Sequence, residues 1–310
     1  MPLSREAYEG KTERGLMVLI MLRRLITGMI LFSVLFCLLA GESNADAARK
    51  HFIMGILPCS DVELSFKKFH LLIAYLKKQT GLELVTVLPK DFEEFEWAIK
   101  NGEIDFAFQD PHTYVRLARL YHRDALIRAL TTNGETYQYG LIVTMKGSGI
   151  NKMDDLRGKT VIFGPKFSST KWIAAKEAFK DNGILIDKDL RAYFNGGCCE
   201  DIAFNVYLKS VDAGVVCDHF LDEHSDKQKE LGINIKQFNV IGKTGPVPTK
   251  VFAARKELDS SLVIKMNQAL LDLDKNNPAH AQILYPAEFG GFQKSEDKDY
   301  DTIRILVGDK

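Results

Sequence analysis

Apolar and polar positions along this chain switch repeatedly between a period near two and a period near 3.6. Residues 51–57 (HFIMGIL) form a short apolar run ending at Pro58, the composition of a buried strand. Over residues 62–80, Phe66, Phe69, Leu72, Ile73 and Leu76 recur every three or four positions. Lys67, Lys68, Lys77 and Lys78 fall off that face, which predicts an amphipathic helix closed by Gly81. Residues 82–88 alternate as a strand, residues 91–100 predict a helix stopped by Asn101-Gly102, and residues 104–108 predict a third strand. This β-α-β-α-β order reads as a parallel sheet covered by helices.

The pattern then restarts. Residues 140–145 read as a crossing strand, and Asp154-Asp155-Leu156-Arg157-Gly158-Lys159 leads into a strand at 160–163. A helix over 168–182, a strand at 190–194, a helix at 200–209 and a strand at 213–216 complete a second α/β unit. Residues 249–257 predict a strand returning to the first unit, followed by helices at 260–273 and 278–284. Two α/β units joined by two crossings fit a hinged clamshell around a small ligand. The expected division is 1–47 as a leader, 48–140 as the first part of lobe 1, 141–247 as lobe 2, and 248–310 as the return to lobe 1.

Charge narrows the partners. Forty-one basic and 41 acidic residues cancel, so nothing electrostatic points to nucleic acid or a lipid surface. The N-terminus sets the expected compartment. Arg23 and Arg24 precede an apolar run over 25–40, and Ala45-Asp46-Ala47 follows a polar stretch. That is the layout of a secretory signal peptide, with cleavage expected after Ala47. The run is shorter than the roughly 20 residues of a membrane span. Cys37 follows Phe36 where a lipoprotein signal needs a small residue. Met21 opens a conventional signal and is the expected start, and the mature chain is expected in the periplasm.

The most informative local segment is residues 161–172 (VIFGPKFSSTKW), where a strand ends, a Gly/Pro loop turns, and Ser168, Ser169 and Thr170 open a helix. Unpaired N–H groups and the helix dipole make such a start a cup for an oxyanion. The plainer alternative is that Ser168 or Ser169 caps the helix. A Walker loop is excluded by spacing.

Several separated segments carry a resemblance. Gly102–Ala107 follows a "G-x-v-D-i-a" pattern, Asp110-Pro111-His112-Thr113-Tyr114 sits at a "G-P-x-x-Y" turn, and Asp155–Thr160 follows "D-L-k-G-k". Gly164–Thr170 follows "G-x-x-x-S-T-S", Val211–Gly214 follows "V-D-a-g", and Thr244–Pro248 resembles "S-p-x-i-P". In this order the segments resemble the phosphate/phosphite/phosphonate-binding proteins of ABC transporters. The resemblance implies a type II periplasmic-binding-protein clamshell of α/β class, with two parallel-rich sheets joined by two crossing strands. It further implies a monomer that needs no cofactor, performs no catalysis, and hands a small oxyanion to an ABC permease in the inner membrane.

By the same resemblance Ser168, Ser169 and Thr170 hold the phosphorus oxygens, Tyr137 adds a hydroxyl, and Tyr114 joins the ligand set. Phe92 stands where many members carry a second Tyr, so packing is expected of it. Cys199 stands where a His often contacts the anion. His219 stands where aminophosphonate binders carry a carboxylate, which implies a ligand without an amino group.

The cysteines leave more open. Cys59, Cys198, Cys199 and Cys217 remain after the leader, an even count in an oxidising compartment. A bridge from Cys217 to Cys198 or Cys199 is expected first. Thiols facing the cleft, or a metal or redox site with His219 or His112, stay open, although no zinc-type spacing occurs. No nucleophile elbow (G-x-S-x-G) is present. The leading function is therefore transport capture of a phosphorus oxyanion. The alternatives are a periplasmic receptor for a signalling partner, and a metal- or redox-active protein built on Cys198, Cys199 and Cys217.

Overall fold

The computed structural model describes residues 51–57, 62–223 and 232–308. The expected leader, Met21, Cys59 and His224 lie outside these residues. The first sheet begins with parallel strands. β1 (Phe52–Ile56) pairs with β2 (Leu84–Val87) on one side and β3 (Phe106–Gln109) on the other, Phe52 facing Leu84 and Met54 facing Phe106. The crossovers are α1 (Val62–Thr80) and α2 (Phe92–Lys100). Three antiparallel strands then widen the sheet: β4 (Leu126–Leu130), β12 (Val251–Ala254) and β13 (Gly291–Ser295), in the order β13-β4-β12-β3-β1-β2. The expected βαβ core is present, and half of the sheet around it runs antiparallel.

The second sheet holds β6 (Gly140–Met145), β7 (Thr160–Phe163), β8 (Ala192–Asn195), β9 (Ala213–Cys217) and β10 (Phe238–Lys243), in the order β10-β6-β9-β7-β8. β7 is parallel to β8 and β9, while β6 is antiparallel to β9 and β10. The two crossings between the sheets pair with each other. β5 (Tyr137–Gln138) and β11 (Val247–Pro248) form an antiparallel ribbon, and Gly140 N donates to Thr244 Oγ1 at 2.8 Å. Gly140 has to be glycine there, because a Cβ would stand 2.8 Å from Thr244 and 3.1 Å from the Thr170 carbonyl.

Both faces of both sheets are covered, as the continuously buried strands β3, β7 and β9 require. In β9, Val215 joins a core with Phe163 and Phe179, whereas its neighbour Val216 joins Ile202, Val206 and Phe238 on the other face. In the first sheet Phe52, Met54 and Phe106 pack under Leu72 and Leu76 of α1. The opposite face buries Ile99 and Tyr114, the latter from α3 (Pro111–Leu117). The second sheet carries α4 (Ala175–Asp181), α5 (Cys199–Tyr207) and α6 (Asp218–Glu223). The chain ends on α7 (Ser260–Leu271), α8 (Pro278–Leu284) and α9 (Asp301–Val307). Leu306 and Val307 of α9 pack against the cores of both sheets, so α9 ties the halves together.

Three aspartates of the resemblance segments turn out to be fasteners. Asp105 accepts from Ile53 N at 2.8 Å and from Arg255 at 3.0 Å, linking β1 to the end of β12. Asp212 accepts from Thr160 N and Oγ1, both at 2.7 Å, and sets the register of β7 beside β9. Asp155 caps the turn before β7, which Gly158 completes at φ +73°. Removing the buried Asp105 carboxylate orphans Ile53 N and leaves the half-buried Arg255 only the exposed Glu257 at 3.7 Å. Asp105→Ala should cost about 3–5 kcal/mol in urea unfolding. A loss below about 1 kcal/mol would show that the pair is not a structural fastener.

Candidate functional site

The carboxyl ends of β1, β3, β7 and β9 open into the space between the two sheets, where open α/β folds place their ligands. A cavity of about 100 Å³ lies there, room for several waters or one small ion. Its apolar wall includes Ile56, Phe69, Phe108 and Phe220. Lys68 and Lys250 reach it from the first sheet's side, Lys171 from the second, and Cys198, Cys199, Cys217 and His219 complete the second sheet's wall. A broader cleft of about 850 Å³, bordered by Phe92, His112 and Arg116, shares Pro165, Phe167, Cys198 and Glu200 with it.

Asp110 organises the mouth. It is the N-cap of α3, accepts from His112 N at 2.9 Å, and is followed by Pro111 at the first helical position. The same carboxylate accepts from Ser169 N at 3.0 and 3.1 Å and from the Ser169 hydroxyl. Ser169 begins a π-helical segment (Ser169–Ala174) that continues into α4. Its wide turn is closed by Ile173 N donating to Ser168 O at 3.0 Å. One carboxylate thus caps two helix starts, one from each side of the cleft. His112 adds a contact from its Nδ1 to Phe167 O at 3.2 Å, and Phe92 stacks on Phe167 with ring centroids 5.1 Å apart.

Charges on the cavity wall are arranged in opposition. Lys68 lies 2.9 Å from Glu288 and 3.5 Å from Glu200. Burial works against its charge, but the two carboxylates carry its pKa well above the ordinary ammonium value. Glu288 sits at φ +60°, a strained conformation for a residue with a side chain, and presents its carboxylate to Lys68. Burial pushes the Glu288 carboxyl up, and Lys68 more than offsets it, leaving the pKa low. Lys171, 4% exposed, donates to Gly197 O at 3.0 Å. Burial pushes the Asp110 carboxyl above its usual range against the opposing hydrogen bonds from Ser169 and His112.

Comparison with known proteins decides the family. Residues 54–300 match the family model described as ABC transporter, phosphonate, periplasmic substrate-binding protein. The chain belongs to this family. Its members are periplasmic substrate-binding proteins of transport systems rather than enzymes. Among solved structures, a binding protein component of an ABC phosphonate transporter from Pseudomonas aeruginosa superposes with a TM-score of 0.73 at 17% identity, over 84% of this chain and 86% of that one. PhnD1 from Prochlorococcus marinus, in complex with methylphosphonate, gives 0.74 at 16% identity, over 84% and 99%. These likenesses establish the type II periplasmic-binding-protein fold. A curated relative, the tetrathionate sensor histidine kinase TtrS of Salmonella typhimurium, is 24% identical over 230 residues, 68% of this chain. The matched stretch spans 37% of that kinase's length. Among the described residues no helix is long and apolar enough to cross a membrane.

Within this family member the expected contact residues separate into three groups. Ser168, Thr170, Cys199 and His219 do line the cavity. Ser168 Oγ also accepts from Lys171 N at 3.1 Å, the plain capping role, and Thr170 Oγ1 accepts from Gln138 Nε2 at 3.0 Å. Ser169 is fully buried, with its amide and hydroxyl given to Asp110. Tyr137, Tyr114 and Phe92 are not brought to the cavity. Tyr137 is 40% exposed on β5, and its neighbour Gln138 turns inward instead, since adjacent strand residues face opposite ways. Tyr114 is core, its hydroxyl donating to Asp297 at 2.5 Å. Phe92 borders the broader cleft.

Lys68, expected only to lie off the apolar face of α1, points into the cavity, because its side meets Glu200 of the second sheet's α5. One expectation is corrected outright. Cys217 makes no disulfide with Cys198 or Cys199; all three are buried thiols. Cys217 N instead donates to Cys199 Sγ at 3.2 Å. Among the described residues no group of three His, Cys, Asp or Glu is placed to hold a metal ion. Sequence reasoning missed Asp110, Gln138, Lys171 and Glu288. Only Asp110-Pro111 carried a signal, as a cap followed by proline.

The Cys199 thiol is strongly perturbed. A hydrogen bond from the Cys217 thiol lowers its pKa most, burial opposes this, and Lys171 lowers it further, to about 7. A thiol depressed in the fold contributes stability above its unfolded pKa and loses it as pH falls through about 7. The ultraviolet absorbance of thiolate should therefore show one transition with a midpoint about 7, absent from Cys199→Ser. A lowest midpoint at the ordinary thiol value of about 8.5 would contradict this environment. Asp110→Ala should cost about 1–3 kcal/mol by orphaning buried donors, and formate or phosphate added to the variant should restore part of it. No rescue by either anion would show that the vacated position is not an anion site.

Proposed function

We propose that this chain captures a small phosphorus oxyanion (phosphate, phosphite or a simple alkylphosphonate) and presents it to an ABC permease. The observation that carries this reading is the convergence of lysines from both sides of the cleft on one small cavity. Lys68 and Lys250 stand on the first sheet's side and Lys171 on the second's. An anion between them gains from both halves, so ligand and closure favour each other. The family assignment and the methylphosphonate complex of PhnD1 support the same class of ligand.

The mode of holding differs from a bare Ser-Ser-Thr cup. Asp110 stands where the resemblance segment has glycine, and its carboxylate occupies the Ser169 donors. The bound anion is therefore held by the Lys171 ammonium and the hydroxyls of Ser168 and Thr170, whose hydrogens remain to be donated. Asp110 is engaged by Ser169 and His112, and Glu200 and Glu288 by Lys68. A ligand ammonium would have to break these pairs, so a ligand without an amino group is favoured.

A second reading has its own support. The match to a tetrathionate sensor kinase and the three cysteines in the cavity wall favour a sensory receptor for a sulfur oxyanion. A thermal-shift panel separates the two. Phosphate, phosphite or methylphosphonate should raise the Tm by several degrees at about 100 times its Kd, 2-aminoethylphosphonate should do less, and Lys171→Met should abolish the shift. A shift from tetrathionate alone favours the second reading, and no shift from any anion refutes both.

A further inference from the structure

We propose that Cys199 and Cys217 are a reactive thiol pair in the cavity wall, which reduces small anions carrying a sulfur–sulfur bond and closes to a disulfide. The proposal rests on the reading that the cavity takes an anion, and it gives the cysteines a role that phosphorus ligands leave unused. Three thiols bordering one small cavity are costly company for a phosphate or phosphonate. A thiol is a weak donor, and a thiolate repels the ligand. The same groups suit a ligand whose electrophilic atom is sulfur.

The geometry assigns the roles. Cys199 is the first residue of α5, a nine-residue helix, at the end of the dipole that favours a thiolate. Its Sγ accepts the Cys217 amide at 3.2 Å, and the Cys217 thiol lies within hydrogen-bonding reach of it. Lys171 is close enough to favour the charged sulfur, and both cysteines border the cavity. Cys199 is thus the attacking thiolate and Cys217 the resolving thiol. Its lowered pKa keeps a large thiolate fraction near neutrality, where attack on sulfur is efficient. Lys171 and Lys250 offset the repulsion between thiolate and anionic ligand, Lys68 being taken up by Glu288 and Glu200. Cys198 also borders the cavity, as the residue preceding α5, and is the alternative resolving thiol.

With tetrathionate as the ligand the steps balance. The Cys199 thiolate attacks one inner sulfur, the central S–S bond breaks, and one thiosulfate dianion leaves. Cys199 then carries a sulfur-linked sulfonate. The Cys217 thiol loses its proton to solvent and attacks the Cys199 sulfur, which forms the Cys199–Cys217 disulfide and releases a second thiosulfate. Two thiols are oxidised by two electrons, and one tetrathionate is reduced to two thiosulfates. The new bond joins the start of α5 to the end of β9 across the cavity wall, so the reaction also reshapes the ligand site.

The test is intact-mass analysis of the reduced chain after exposure to tetrathionate, with peptide mapping and thiosulfate assay. Wild type should lose two hydrogens, link residue 199 to 217 and release two thiosulfates per chain. Cys217→Ser should accumulate a thiosulfate adduct on Cys199, and Cys199→Ser should form neither product. Reaction at Cys199 should be at least about tenfold faster in the folded chain than in the urea-unfolded chain, as a folded thiolate environment requires. The melting temperature with methylphosphonate is read in parallel. Thiols left intact while an anion raises the melting temperature overturn the proposal and leave the anion site standing. Intact thiols with no anion shift overturn both. Equal rates in folded and unfolded chains show ordinary cysteine chemistry and also overturn it.

Discussion

The contact between Asp110 and Ser169 is the constraint on which the cleft depends. A single buried carboxylate caps α3 at the end of the first sheet and the π-helical segment at the end of the second. Hydrogen bonds to a charged group are worth more than neutral ones, and orphaning either partner in the interior is expensive. The contact therefore sets how closely the two strand-end edges approach and fixes the orientation of Ser168, Thr170 and Lys171. It also places a protein anion where a helix start would otherwise hold a ligand anion. The Asp110 carboxylate takes up the Ser169 donors, and the proposed ligand site is the neighbouring cavity.

What fills that space follows from charge. Lys68 is balanced by Glu288 and Glu200, and this triad spans the cleft because Lys68 and Glu200 come from opposite sides. Lys171 is buried and donates to Gly197 O at 3.0 Å, on the opposite side of the cavity from Lys68. On the proposed reading an anion joins these charges in a site of low dielectric, where electrostatic interactions are stronger than in water. The cysteines sharpen the site further, since the Cys199 sulfur is held toward its charged form beside that same lysine.

Much of the fold was legible because it depends on local period. The βαβ units and most helices follow from alternation and helical spacing within a few residues, but residues 140–145, read as a crossing strand, are β6 inside the second sheet, and the crossing is the short β5 before it. β13 was not legible: its sequence, GFQKS, lacks an apolar alternation and is a strand only through pairing with β4. Of the cavity-lining residues, Ser168 and Thr170 were readable from a helix start, whereas Cys199 and His219 were placed through the family resemblance. Asp110 was not legible, because its role is created by a partner 59 residues away. Lys68 was placed off the apolar face, and its role was not legible because helical spacing does not say what the polar face meets. Tyr137 shows the sensitivity of strands to register, where one residue separates the cavity from the outside.

The central claim is that an external anion binds beside Asp110, on Lys171, and not in its place. A crystal structure with methylphosphonate tests this directly. The account predicts phosphonate oxygens within hydrogen-bond reach of Lys171 Nζ and Thr170 Oγ1, with Asp110 still bonded to Ser169. Phosphonate oxygens on the Ser169 amide, with the Asp110 carboxylate swung away, would contradict it.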